Sequence, residues 1–270
     1  LTIPDRENPG KTEMLDERLL ATPAVAVQNS RRQTNNMAEL VRSNLLQAMS
    51  LTHKWDAKRA DSVKENEDII DAYEDKIGSY LIKLSGRDLT QEDSHEVSVL
   101  LHTLSDFERI GDHACNIYES AREIHEKQMT LSEEAWAELA VLESVIQDIL
   151  DRTLHAFENN DLHLATKIEP LEQVVDDLVR SMRDRHIRRL RSGVCSIEGG
   201  FVLQDLLVSY ERISDHCSNV AAAMVEVAED KYDVHEYLDT LRNANEKFDE
   251  RYEKYGHRYV LPEAAESKVD

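Results

Sequence analysis

One nine-residue segment occurs twice in this chain. Glu108 to Asn116 reads ERIGDHACN and Glu211 to Asn219 reads ERISDHCSN, identical at six of nine positions. The apolar residues around it repeat at the same offset of 103: Leu100, Leu104, Phe107, Ile110, Ala114, Ile117 and Ile124 map onto Leu203, Leu207, Tyr210, Ile213, Cys217, Val220 and Val227. Both sets follow the 3.6-residue period of a helix with one buried face. A repeated core face marks a repeated supersecondary unit, so the chain must build two copies of one helical unit.

Composition agrees. The 270 residues hold 8 Gly and 5 Pro, against typical usage near ~7% and ~5%, and 6% aromatics suit strands poorly. All-β folds are excluded. Thr22 before Pro23 starts a first helix, Pro being free of cost at the first helical position and Thr able to cap the amides; it runs to about His53. A second runs from about Trp55 to Leu84 and stops at Ser85 and Gly86. Thr90 opens a third to about Lys127, and Ser132 caps a fourth through Phe157. Asn159 and Asn160 turn the chain, and a fifth helix reaches Arg191. Gly193 to Gly200 breaks it, and a sixth spans about Phe201 to Asp230. The predicted architecture is all-α: two tandem antiparallel three-helix bundles over 22–129 and 130–231. An irregular lead-in with Pro4 and Pro9 precedes them (1–21), and a helical tail follows (232–270).

The 32 basic residues fall well short of the 54 acidic ones, a net charge of −22. That field repels phosphate backbones and anionic lipid, which disfavours nucleic-acid partners and polybasic membrane anchoring, and it attracts cations. The 41% hydrophobic content with helical periodicity argues against disorder outside the two ends. Three cysteines, Cys115, Cys195 and Cys217, have no CxxC spacing, which excludes a disulfide framework or zinc knuckle and fits a reducing compartment. They read as small core residues. No apolar run reaches the length of a membrane span. The chain starts at Leu1, which reads as a fragment of something longer.

Inside the repeat, Glu108/Asp112 and Glu211/Asp215 stand at i and i+4, on one helix face about 5–6 Å apart at Cβ, and Asn116 and Asn219 extend the row. The second and fifth helices carry the same device in EDIID (Glu67/Asp71) and EQVVD (Glu172/Asp176). Each half therefore offers four carboxylates on two consecutive antiparallel helices, the way bundles build carboxylate metal sites. Spacing alone means little here, because acidic pairs at i and i+4 arise roughly ten times by chance in so acidic a chain. Duplication and closeness to the core stripe are what single these out. Carboxylates half-buried together cost several kcal/mol per ion unless neutralised, and a multivalent cation does that. All-oxygen ligation suits Mg, Ca, Mn or iron, and zinc less well. The competing reading is a solvated or Arg-paired acidic face. His113 and His216 sit about 100° around the helix from the aspartates, so ligation, a bond to a neighbouring helix and solvation all stay open. Arg109 and Arg212 are expected to pair with acids of a neighbouring helix.

The paired three-helix units, ExxxD rows and ERIGDHA-like segments resemble the PhoU family over about Thr22 to Asp230. The resemblance implies paired three-helix bundles that hold multinuclear metal clusters, often iron, and a part in controlling phosphate uptake. Its rows fall on Glu67, Asp71, Glu108 and Asp112 for one site and Glu172, Asp176, Glu211 and Asp215 for the other. EQVVDDL departs somewhat from the pattern. The flanks LDERLLATPAVAVQNSRR and HEYLDTLRNANEKFDERYEKY resemble the PhoU-like C-terminal region of bacterial sodium:phosphate cotransporters. That resemblance implies a linker over 1–21 from a preceding membrane domain and a place on the cytoplasmic side of the membrane. The implied partners are the transporter's own membrane domain, phosphate-signalling proteins and a second copy in a homodimer.

The expected function is a non-enzymatic, metal-binding regulatory domain. Two other classes compete. A carboxylate-bridged di-metal enzyme of ferritin type needs Glu-x-x-His on two helices, and only Glu92/His95 has that spacing. A purely structural helical module would use its acidic faces for solubility alone.

Overall fold

The computed structural model describes residues 2–5, 8–228 and 246–263. Helices α1 (Pro23–His53), α2 (Ala57–Ser85) and α3 (Gln91–Glu126) form the first unit. The second is α4 (Glu133–Asn159), the single turn α5 (Leu162–Ala165), α6 (Glu169–Arg191) and α7 (Ile197–Ala228). The all-α architecture of paired antiparallel helical bundles is thus the observed one. Of the predicted tail, Glu246–Arg258 forms helix α8; 229–245 and 264–270 lie outside the described residues.

Most boundaries follow local chemistry. Asp56, Thr90 and Ser132 each accept a hydrogen bond from the amide three residues on, at 3.0, 3.1 and 3.2 Å, which satisfies a free donor of the first turn. Four expectations need correction. The Thr22 side chain makes no cap bond; its carbonyl accepts from Val25 and Ala26 instead. The lead-in is not irregular: β1 (Thr2–Asp5) pairs antiparallel with β2 (Asn8–Met14). Both strands of such a ribbon are edges, where Pro4 and Pro9 are tolerated. Asp161 caps α5, which splits the predicted fifth helix before Pro170 restarts it in the first turn of α6. Finally, the break before α7 is shorter than Gly193–Gly200. Gly193 alone in this segment takes a left-handed φ of 70°, and α6 closes as the Gly193 amide donates to the Leu190 carbonyl and the Val194 amide to the Arg189 carbonyl, as helix C-termini favour. Gly199 and Gly200 are helical: a Cβ on Gly200 would stand 2.6 Å from His186 Nε2, so glycine serves the close approach of α7 to α6.

The repeated stripe is the core. Leu100, Leu104, Phe107, Ile110, Ala114 and Ile117 are buried, as are their counterparts Leu203, Leu207, Tyr210, Ile213, Cys217 and Val220. One apolar cluster runs through both units, because α3 packs along α7 and α1 along α4. Phe107 meets Phe157 edge-on at 5.0 Å, and Arg31 of α1 forks onto Glu96 of α3 while its guanidinium covers the Phe157 ring at 4.4 Å. Arg42 bonds Asp151 at 2.6 Å. Helix α8 is tied down by Tyr259, whose hydroxyl donates to Asp148 at 2.6 Å, and by Tyr252, which donates to Asp177.

Candidate metal centres

Helices α2 and α3 run antiparallel and close together where the predicted rows face each other. Gly111 makes this possible: a Cβ there would stand 3.2 Å from Ile70 Cγ2, closer than ordinary packing. The residues that follow this contact on the two helices are Asp71 and Asp112. With Glu67 they bring one carboxylate oxygen each within 4.8 Å of one another. The duplicate is built alike: Glu172 and Asp176 of α6 and Asp215 of α7 meet the same limit. Ser214 stands at the position of Gly111, and its hydroxyl turns back to donate to the Glu211 carbonyl at 3.0 Å.

Each trio joins three of the four carboxylates expected in its half. Glu108 and Glu211 stand outside. Glu211 is held by Arg183 of α6 at 2.6 Å, and Glu108 lies 3.6 Å from its neighbour Arg109. The rows are also less evenly buried than their position beside the stripe predicts. Glu172 is buried at 4% exposure, the other members are half-buried, and Asp71 is exposed.

Burial and crowding push two carboxyls of the first cluster upward. For Glu67 and Asp71 burial is the larger cause and neighbouring carboxylates the next. Glu108 is pushed up to about 7 by burial and Asp112, against Arg109. Asp215 is raised by burial, with Arg212 pulling the other way. Like charges gathered in a poorly solvated place disfavour ionisation, and the same arrangement favours a cation.

Arg109 and Arg212 do not reach across helices. Each bonds the aspartate three residues on its own helix, Asp112 at 3.3 Å and Asp215 at 3.0 Å, as i,i+3 neighbours can. The two histidines turn away from the trios into the α3–α7 contact. There His216 Nδ1 lies 2.9 Å from Asp106 Oδ1, so His216 makes the neighbouring-helix bond, whereas His113 bonds Asn116 on its own helix. Of the cysteines, Cys217 is buried while Cys115 and Cys195 are half-buried. Glu92 and His95 sit in the first turns of α3 and belong to neither trio. A residue that spacing did not flag is Glu138, 2% exposed, gripped by Arg189 at 2.9 and 2.8 Å and by Arg185 at 3.3 Å. Its position within the α4 apolar stripe is the only sequence signal for it.

The donor set fits a hard cation. Oxygen ligands stand about 2.0–2.6 Å from Mg or Ca, so two of them on one ion are at most roughly 4–5 Å apart, the spacing of both trios.

Comparison with known proteins matches this architecture. A family model described as PhoU domain matches twice, over residues 34–121 and 139–224, one match in each unit. A phosphate-specific transport system accessory protein PhoU homolog of Xylella fastidiosa is 26% identical over 185 residues, covering 68% of this chain and 77% of its own. PhoU homolog 1 of Thermotoga maritima is 24% identical over 216 residues, covering 80% of this chain and 92% of its own. The crystal structure of PhoU from Pseudomonas aeruginosa superposes with a TM-score of 0.70 at 23% identity, over 76% of this chain and 97% of that one. With two copies of the domain spanning more than half its length, the chain belongs to the PhoU family.

Proposed function

We propose that the protein is a non-enzymatic regulator of phosphate transport whose two carboxylate trios bind metal ions. The observation that carries the metal reading is that the same three donors, Glu-x-x-x-Asp from one helix and Asp from the next, assemble twice, once in each unit. The phosphate-transport reading rests on family membership and on relatives named as phosphate-specific transport accessory proteins. Hard oxygen donors favour Mg, Ca, Mn or iron, and by family resemblance an iron cluster, over zinc. The polypeptide supplies a rigid pair of bundles whose charge is relieved when the ions bind, so occupancy reads out as stability.

The test is metal analysis of protein purified without chelator, followed by titration of the stripped full chain with iron, manganese, magnesium, calcium and zinc. Binding to the native state alone predicts a rising melting temperature, worth about 2.7 kcal/mol at a hundredfold excess over Kd. Asp112→Ala and Asp215→Ala are each expected to remove one site. No bound metal and no thermal response overturns the metal reading.

The flanking segments support a finer reading, in which the domain is tethered on the cytoplasmic side to the membrane part of a sodium-dependent phosphate cotransporter. Detection of the native polypeptide in washed membranes, at a mass well above 31.0 kDa, tests it; recovery only as a soluble chain of this size overturns it.

A further inference from the structure

Helix α7 carries an apolar stripe that the described fold leaves open. Ile197 and Phe201 are each 68% exposed and Val208 39%, and their i, i+4, i+11 spacing puts them on one side of the helix. The duplication supplies an internal control. At the 103-residue offset, α3 carries Ser94, Ser98 and Ser105. The fold thus accepts hydroxyls at all three places, and large apolar side chains facing water there mark a contact surface. Charge indicates what covers it. The stripe runs beside a groove of about 500 Å³ between α3 and α7, lined by Val208, Asp205, Glu119, Glu123 and Glu126. The groove's two cations are engaged by α3's own acids, Arg122 by Glu119 and, at 3.9 Å, by Glu126, and Lys127 by Glu123, and four acids against two cations leave the lining net negative. On a chain of net charge −22, a second copy would bring like charge to like.

We propose that this face docks a basic amphipathic helix of a partner protein, its apolar side on Phe201 and Val208 and its Lys or Arg side chains against Asp205 and Glu126. A helix laid in a groove is read by i, i+3, i+4 and i+7 anchors, which matches a helical stripe bordered by acids. The assignment is independent of the metal centres.

The test uses the full chain and a labelled synthetic helix with Leu on one face and Lys on the other, followed by fluorescence anisotropy at low and high salt. Its counterpart has Glu at every Lys. The variant combines Phe201→Ser with Val208→Ser, the residues α3 already uses, so folding is preserved. The Lys helix is expected to bind, about tenfold more weakly to the variant and more weakly in salt, while the Glu helix does not bind. Three outcomes overturn the proposal: no binding of the Lys helix, equal binding by the variant, or equal binding of the Glu helix. So does wild-type self-association in sedimentation, or attachment to phosphatidylcholine vesicles, that the variant abolishes, because a second copy or lipid would then be the occupant.

Discussion

The rings of His113 and His216 lie 5.8 Å apart, centroid to centroid, where α3 crosses α7. These are the same residue of the repeated segment in its two copies, so the contact joins equivalent positions of the two units. Around it the copies differ: Asp106 of α3 bonds both His216 and Asn219, whereas Ser209 occupies its place on α7, and His113 has Asn116 beside it at 3.3 Å.

That asymmetry predicts a pH response. Burial, then the His216 ring, Arg212 and Arg109, push His113 down to about 4, with Asp112 opposing. The unfolded chain takes up this proton near ~6.5, while the folded state refuses it until about 4. Stability from this group is therefore complete above ~6.5 and is lost as pH falls toward 4. In metal-free protein, His113→Gln is expected to gain about 1–2 kcal/mol relative to the parent between pH 7.5 and 5, read from melting curves across that range. A pH-independent difference contradicts it.

Gly111 predicts a selective loss at one trio. Leucine there pushes Ile70 and α2 away from α3, which separates Asp71 from Asp112 and leaves Glu172, Asp176 and Asp215 untouched. Gly111→Leu is expected to weaken the first site at least about tenfold and spare the second, because donor separations a few tenths of an ångström too long no longer fit one ion. Competition titration of the stripped variant, with helicity checked by circular dichroism, measures this.

Glu138 predicts a large stability cost away from either centre. Its carboxylate joins α4 to α6 through Arg189 and Arg185, which are 12% and 21% exposed. Removing it leaves two largely covered cations without an opposing carboxylate, Arg185 keeping only the Pro262 carbonyl among the described residues, so Glu138→Ala is expected to cost about 3 kcal/mol. Arg180→Ala breaks only the exposed pair with Asp177 and should cost under about 1 kcal/mol. Urea denaturation of the two variants compares them directly.

Much of this was legible before any coordinates. The 3.6-residue period of Leu100 to Ile117, its copy from Leu203 to Val220, and the capping residues Thr90 and Ser132 are local features. Local backbone chemistry places helices, and spacing at i and i+4 puts Glu67 beside Asp71 and Glu172 beside Asp176 whatever surrounds them. What lay beyond reach was which groups meet across helices. Glu211 reads as a fourth donor until Arg183, 28 residues away in the chain, is seen to hold it, and Gly200 reads as part of a break until α6 is found against it. The His113–His216 contact, the Glu138 clamp and the 4.8 Å trios follow from how the rods cross and how closely. Crossing geometry is set by side-chain volumes along whole faces, so no single stretch of chain encodes it, and only the packed structure decided it.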